Sequence, residues 1–153
     1  MKPVQTAAAV VGGAFALVGV LGFIPGITTH YDQLSFAGHH SGALLFGLFA
    51  VSVLHNLVHL AFGVGGLAMS RTAGTARLFL VVGGGIYVLL WVYGSVIGAV
   101  FGEQTRANLL PVNAADNWLH LGLGAAMLLL GIGTTAYERS RGDYTSAGHT
   151  PNS

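Results

Sequence analysis

The sequence predicts an all-α fold, an integral membrane four-helix bundle with both termini on the cytoplasmic side. Three observations predict it. Of 153 residues, 53% are hydrophobic and only 7% are charged, against about 25% charged in ordinary globular chains. The apolar residues gather into four continuous runs, and a span needs roughly 20 of them, because ~30 Å of hydrocarbon is crossed at ~1.5 Å per residue. The cations fall on one side of those runs. Continuous rather than alternating runs disfavour a β-barrel.

The first run, 7–24, holds no ionisable group and stops at Pro25-Gly26. Only Lys2 precedes it as a charge, and no small-residue cleavage pattern follows Ile24, so it reads as a retained helix rather than a signal peptide. The second, 42–69, is long and is interrupted by Ser52, His55, Asn56 and His59. Its first part, Gly42 to Leu54, is also compatible with a separate interfacial segment hinged at Gly47. The third run is 78–101, again uncharged, and the fourth is 117–137, which contains His120. Residues 1–137 thus form the transmembrane domain. The remainder, 138–153, is rich in Gly, Ser, Thr and polar groups, holds His149, and is expected to be a disordered cytoplasmic tail.

Lys2, Arg71, Arg77, Arg139 and Arg141 share one side of a four-span chain, and Arg106 stands alone on the other. By the positive-inside rule the loops 25–41 and 102–117 face outward. The outward loops carry His30, Tyr31, Asp32, His39 and His40, then Glu103 and Pro111. Gly12-Gly13, Gly63, Gly65-Gly66, Gly83 to Gly85, Gly122 and Gly124 lie inside spans, where small residues let helix backbones approach. Gly94 and Gly98 form a G-x-x-x-G, read as packing within the bundle.

A net charge of +1 gives no field for nucleic acid. The absence of cysteine removes disulfides, thiolate zinc, iron–sulfur clusters and a thiol nucleophile. No G-x-S-x-G, H-E-x-x-H or P-loop is present, which disfavours a hydrolytic enzyme. The expected surroundings are the lipid bilayer, with a membrane-protein partner or a second copy of the chain compatible with the outer loops.

One internal similarity carries most of the buried polar residues. The segments His55-Asn56-Leu57-Val58-His59-Leu60-Ala61-Phe62-Gly63 and Asp116-Asn117-Trp118-Leu119-His120-Leu121-Gly122-Leu123-Gly124 share the pattern [HD]-N-x-x-H-L-x-x-G, 61 residues apart. Spans two and four run in the same direction, so the halves can form a parallel two-helix repeat. Residues four apart share a helix face. His55 and His59 lie on one face of the second span, Asp116 and His120 on one face of the fourth. If these faces meet, His55, His59, Asp116 and His120 form a candidate ligand set for a transition metal or haem, with Asn56, Asn117 and Trp91 around it. Polar residues in a bilayer also serve as hydrogen-bonding staples between helices, worth ~0.6–2 kcal/mol. Asp116 alone reads as an N-terminal capping residue, and Met127 as packing. Three readings stay open: a structural or accessory membrane protein, a metal- or haem-binding redox subunit, and a proton or small-solute pathway.

The depths conflict. Counted from Ser70, His59 stands about 16 Å above the inner boundary, and counted from Glu138, His120 stands about 27 Å above it. Either the fourth helix runs two turns further inward, or the second does not stop at Ser70, or the match is accidental.

Residues 45–67, Tyr87 to Tyr93, and Asn113 to Leu121 (N-A-A-D-N-W-L-H-L) resemble the bacterial membrane family catalogued as domain of unknown function 4383. The resemblance implies a small four-helix protein of the plasma membrane. It implies no activity, substrate or cofactor.

Overall fold

A computed structural model of the protein describes residues 1–38, 40–100 and 112–147. The expectations for His39, Phe101, Glu103, Arg106, Pro111 and His149 lie outside the described residues. Four helices are present: α1 Pro3–Leu21, α2 Val53–Met69, α3 Ala73–Val100 and α4 Ala114–Ala147. Pro3 opens α1 at the one place where its missing N–H costs nothing. Helices α1 and α3 and the stretch Ala114–Glu138 of α4 are long and apolar enough to cross a membrane; α2 is a shorter apolar helix.

Between α1 and α2 the chain makes a small antiparallel sheet in the order β1 Thr28–Thr29, β2 Leu44–Leu45, β3 Phe49–Ala50. The chain remains mostly helical, with four helices; the small sheet occupies the part of the second apolar run before Val53, so the helix begins at Val53 and not at residue 42, and the stretch before it is a separate segment. The reason is local. The Ser52 hydroxyl accepts from the His55 N–H at 3.1 Å and caps the helix. Phe46 and Gly47 have φ of 54° and 68°, the pair of left-handed positions that closes a hairpin, so β2 and β3 fold back on each other. Ser35 and Phe36 carbonyls accept from the Val53 and Leu54 N–H groups. The free amides that every helix start leaves behind are therefore taken up by the preceding loop, and α2 can begin inside the molecule.

The disordered-tail expectation is also corrected over 138–147, where α4 continues as helix to Ala147. Glu138 pairs with Arg77 of α3 at 3.6 Å, and no proline interrupts the run before Pro151. With this extension the two repeat segments no longer need helices of equal length beyond them. Leu130 is the residue of α4 that matches Met69, the last of α2, and α4 runs on well past it.

The helices pack mainly as two pairs, α1 with α2 and α3 with α4. Glycine sets both contacts. A Cβ on Gly12 would stand 2.7 Å from Leu67 N and 3.0 Å from Gly63 O; one on Gly84 would stand 3.0 Å from Leu128 N and 2.9 Å from Gly124 O. Gly63 lies against the Ala16 backbone and Gly124 against Val88 N. A Cβ at Gly22 would strike the Asn56 amide, and one at Gly94 the Asn117 amide. Each α1 residue named here finds its counterpart 72 positions on in α3, and each α2 residue 61 positions on in α4. The pairs meet through Phe15 and its counterpart Tyr87, whose ring centroids are 5.1 Å apart. Phe62, Phe79, Leu80 and Met127 complete this core. A second, smaller one, Ala43, Leu45 and Val51, lies under the sheet.

These contacts make a paired prediction. Gly63→Ala and Gly124→Ala force backbone apart and are expected to destabilise by about 1–3 kcal/mol each. Gly65→Ala and Gly122→Ala, with open space at the Cβ, are expected to be neutral or slightly stabilising. Unfolding of the detergent-solubilised variants measures all four.

Candidate functional site

At the hairpin end of the bundle, α2 and α4 bring their polar faces together. His55 and His59 stack one turn apart, ring centroids 4.6 Å from each other. His120 approaches His55 with centroids at 6.4 Å. The two repeat-related histidines sit on the two repeat-related aromatics: Phe15–His59 at 5.6 Å and Tyr87–His120 at 5.3 Å. All three imidazoles, Asn56 and Asp116 are buried. The sequence-predicted His55, His59, Asp116, His120 and Asn56 thus converge, and together they line one wall of a cavity of about 190 Å³. Leu45, Phe46, Phe49 and Val51 of the hairpin roof it.

The helix start holds Asp116 in place. Asn113 and Asp116 form a reciprocal box: Asp116 N–H donates to Asn113 Oδ1 at 2.9 Å, and Asn113 N–H donates to Asp116 Oδ2 at 3.1 Å. This is the capping box with Asn and Asp in the usual Ser/Thr and Glu places. Asp116 is therefore the third helical residue and Asn113 the cap. The same Oδ2 accepts from the Ala50 N–H at 3.0 Å, and Asn113 Nδ2 donates to the Leu48 carbonyl at 2.9 Å. The hairpin is clipped to the start of α4.

His59 Nδ1 lies 3.0 Å from the His55 carbonyl. A carbonyl can only accept, so Nδ1 carries the proton and a neutral ring keeps its lone pair on Nε2. Among the described residues, no group of three or more His, Asp or Glu is arranged to hold a metal ion. The cavity under the hairpin, at about 190 Å³, is below the ~300 Å³ at which pockets for drug-sized ligands begin.

Two of the surrounding residues stand elsewhere than expected. Asn117 packs against Gly94 on the α3 side, and its Oδ1 is buried without a hydrogen bond. Trp91 does not line the cavity; Tyr87, one turn earlier on α3, reaches the cluster instead. Met127 is core, 1% exposed. Residue-type reasoning missed Ser52, Asn113, Phe15 and the hairpin roof. The N-cap pattern Ser52-x-x-His55 and the Asn113-x-x-Asp116 box were the available signals for the first two. For Phe15 there was none, since it is one apolar residue in an apolar run.

No curated protein and no solved structure gives a significant match to the chain. The family described as a domain of unknown function, DUF4383, matches residues 5–133, from the first turn of α1 to the middle of α4. With α2, α3, most of α1, the first part of α4 and the whole histidine cluster inside that match, the chain belongs to the DUF4383 family.

Proposed function

We propose that the chain is a multi-pass protein of the bacterial plasma membrane with a structural or accessory role, its polar cluster joining α2, α4 and the hairpin into one rigid outer end. Asp116 carries this reading, because a single carboxylate oxygen ties the start of α4 to the Ala50 amide 66 residues away. The outer loops then present a fixed surface to a membrane-protein partner or a second copy of the chain.

The orientation has support in how the cations cluster. Gln5 Nε2 donates to the Ser70 and Arg71 carbonyls at 3.1 and 2.8 Å, which brings the start of α1, with Lys2, beside the end of α2. Arg77 joins α3 to Glu138 of α4 at the same end. That end is cytoplasmic by the positive-inside rule, and the hairpin faces outward. At 17 residues, α2 is at the short limit for a span; the hairpin covers the remaining depth and keeps its buried backbone paired.

The chain has no cysteine, so topology is read by introducing one. Asp32→Cys is expected to react with a membrane-impermeant maleimide on intact cells, and Gly74→Cys only after permeabilisation. The reverse pattern would invert the orientation.

The staple is tested on Asp116 and His120. Asp116→Ala leaves the Ala50 and Asn113 amides unpaired and is expected to cost about 1–3 kcal/mol, with faster hydrogen exchange at residues 44–50. Asp116→Asn keeps one acceptor oxygen and is expected to lose less. His120→Leu is expected to lower the melting temperature while elemental analysis and the visible spectrum stay unchanged. A metal or a Soret band in the wild type that disappears in His120→Leu would overturn the structural reading.

A further inference from the structure

Two cavities meet at the histidine cluster. The first is the space under the hairpin. The second, of about 230 Å³, lies between α1 and α4 and is lined by apolar side chains including Val11, Phe15 and Leu123. They share Val18, His59 and Leu119. The second cavity reaches the molecular surface, where Val10 is 66% and Leu119 39% exposed. In the membrane reading, on which this inference rests, that surface is bathed in lipid tails.

The opposite side of the bundle shows what the repeat does when it only packs. Between α2 and α3 the counterparts of Phe15, Val18, Leu119 and His59 are Tyr87, Leu90, Val58 and His120, and the space among them is about 20 Å³. Two exchanges close it. Where α4 has Leu123, α2 has Phe62; where α1 has Val11, α3 has Gly83. Phe62 settles over Gly83, whose Cβ would meet its ring at 3.1 Å, and packs on Phe79 and Tyr87 at 5.4 and 5.5 Å. Met127 fills the rest. The repeat is thus sealed on one side and hollow on the other, and the hollow side leads to the buried polar groups.

We propose that the two cavities form one binding site for a membrane-borne neutral amphiphile: a six-membered ring head bearing hydrogen-bond acceptors on an aliphatic tail, the chemistry of a quinone. The ring sits under the hairpin and the tail leaves between α1 and α4. Size fits, since a cavity of ~150 Å³ takes a benzene ring and this one has about 190 Å³. Hydrogen bonding fits. His55, Asn56, His59 and His120 line the space under the hairpin, and an amide NH₂ or an imidazole N–H donates to a ring carbonyl. Charge selects against a phospholipid or fatty acid. Among the described residues no Lys or Arg lines either cavity, while Asp116 does, so an anionic head would be buried unpaired beside a carboxylate. Phe46 and Phe49 in the roof present rings for stacking on a flat head.

The test uses the full chain in lipid nanodiscs with a decyl-substituted benzoquinone as probe and empty nanodiscs as the partition control. Saturable binding of one quinone per chain is expected. Val18→Trp, at the neck shared by both cavities, is expected to weaken it at least tenfold with the melting temperature unchanged. If that variant fails to fold, Val18→Phe takes its place. Asn56→Leu, which removes the head-group donor, is expected to weaken binding about tenfold. Three results overturn the proposal: no saturable binding to folded wild type, undiminished binding to the neck variant, or a co-purifying phospholipid at one per chain that the quinone does not displace. A wild type that partitions into membranes and melts cooperatively but binds no quinone sinks this proposal alone and leaves the membrane reading standing.

Discussion

The close backbone approach within each helix pair is what everything else in this molecule rests on. Gly12 against Gly63 and Leu67, and Gly84 against Gly124 and Leu128, bring α1 onto α2 and α3 onto α4 with no side chain between them. Such contacts gain from dispersion and tolerate no added methyl. They make each pair a stiff unit. The two units then meet through larger, softer side chains, Phe15 and Tyr87 at the centre and Phe62, Phe79 and Met127 to one side. Cavities belong in the softer joint, and that is where both of them lie.

The polar cluster occupies the same joint, and its cost explains the hairpin. A buried polar group without a partner costs roughly 1–3 kcal/mol. The α2 and α4 starts would each leave several free amides. Ser52, the Ser35 and Phe36 carbonyls and the Asn113–Asp116 box take up those for which the partners are seen. The hairpin buries Leu45 of β2, and Val51 just after β3, at 2% and 4% exposed, so it brings its own apolar core to a place that is otherwise polar. The buried end of the bundle is affordable only because these two tasks coincide in one segment.

Much of this was legible in the residues, and the failures have physical causes. The [HD]-N-x-x-H-L-x-x-G match placed α2 and α4 in register because its members are chemically distinctive. The matching relation between α1 and α3 was invisible: Phe15 answers to Tyr87, Val18 to Leu90, Ala16 to Val88, and apolar residues interchange freely in such helices. Hydropathy ran the second span back to residue 42 because hairpin and helix there are equally apolar. What separates them is a serine hydroxyl at position 52 and two left-handed residues at 46 and 47. The tail was assigned to disorder on composition, yet Glu138 finds Arg77 and the helix carries on. The convergence of His55, His59, Asp116 and His120 was readable from i, i+4 spacing. What the converged groups do with their lone pairs was not, since that depends on backbone partners such as the Ala50 amide.

The clip between Ala50 and Asp116 also bears on how the protein is made. The hairpin leaves the ribosome with α1 and α2, while the residue that fastens it belongs to the last helix. Without α4 the Ala50 amide would lack its Asp116 acceptor, and the histidine face of α2 would lose the cover that α4 gives it. The latch thus makes completion of the hairpin end depend on the last helix: one hydrogen bond spans almost half of the chain, from Ala50 to Asp116.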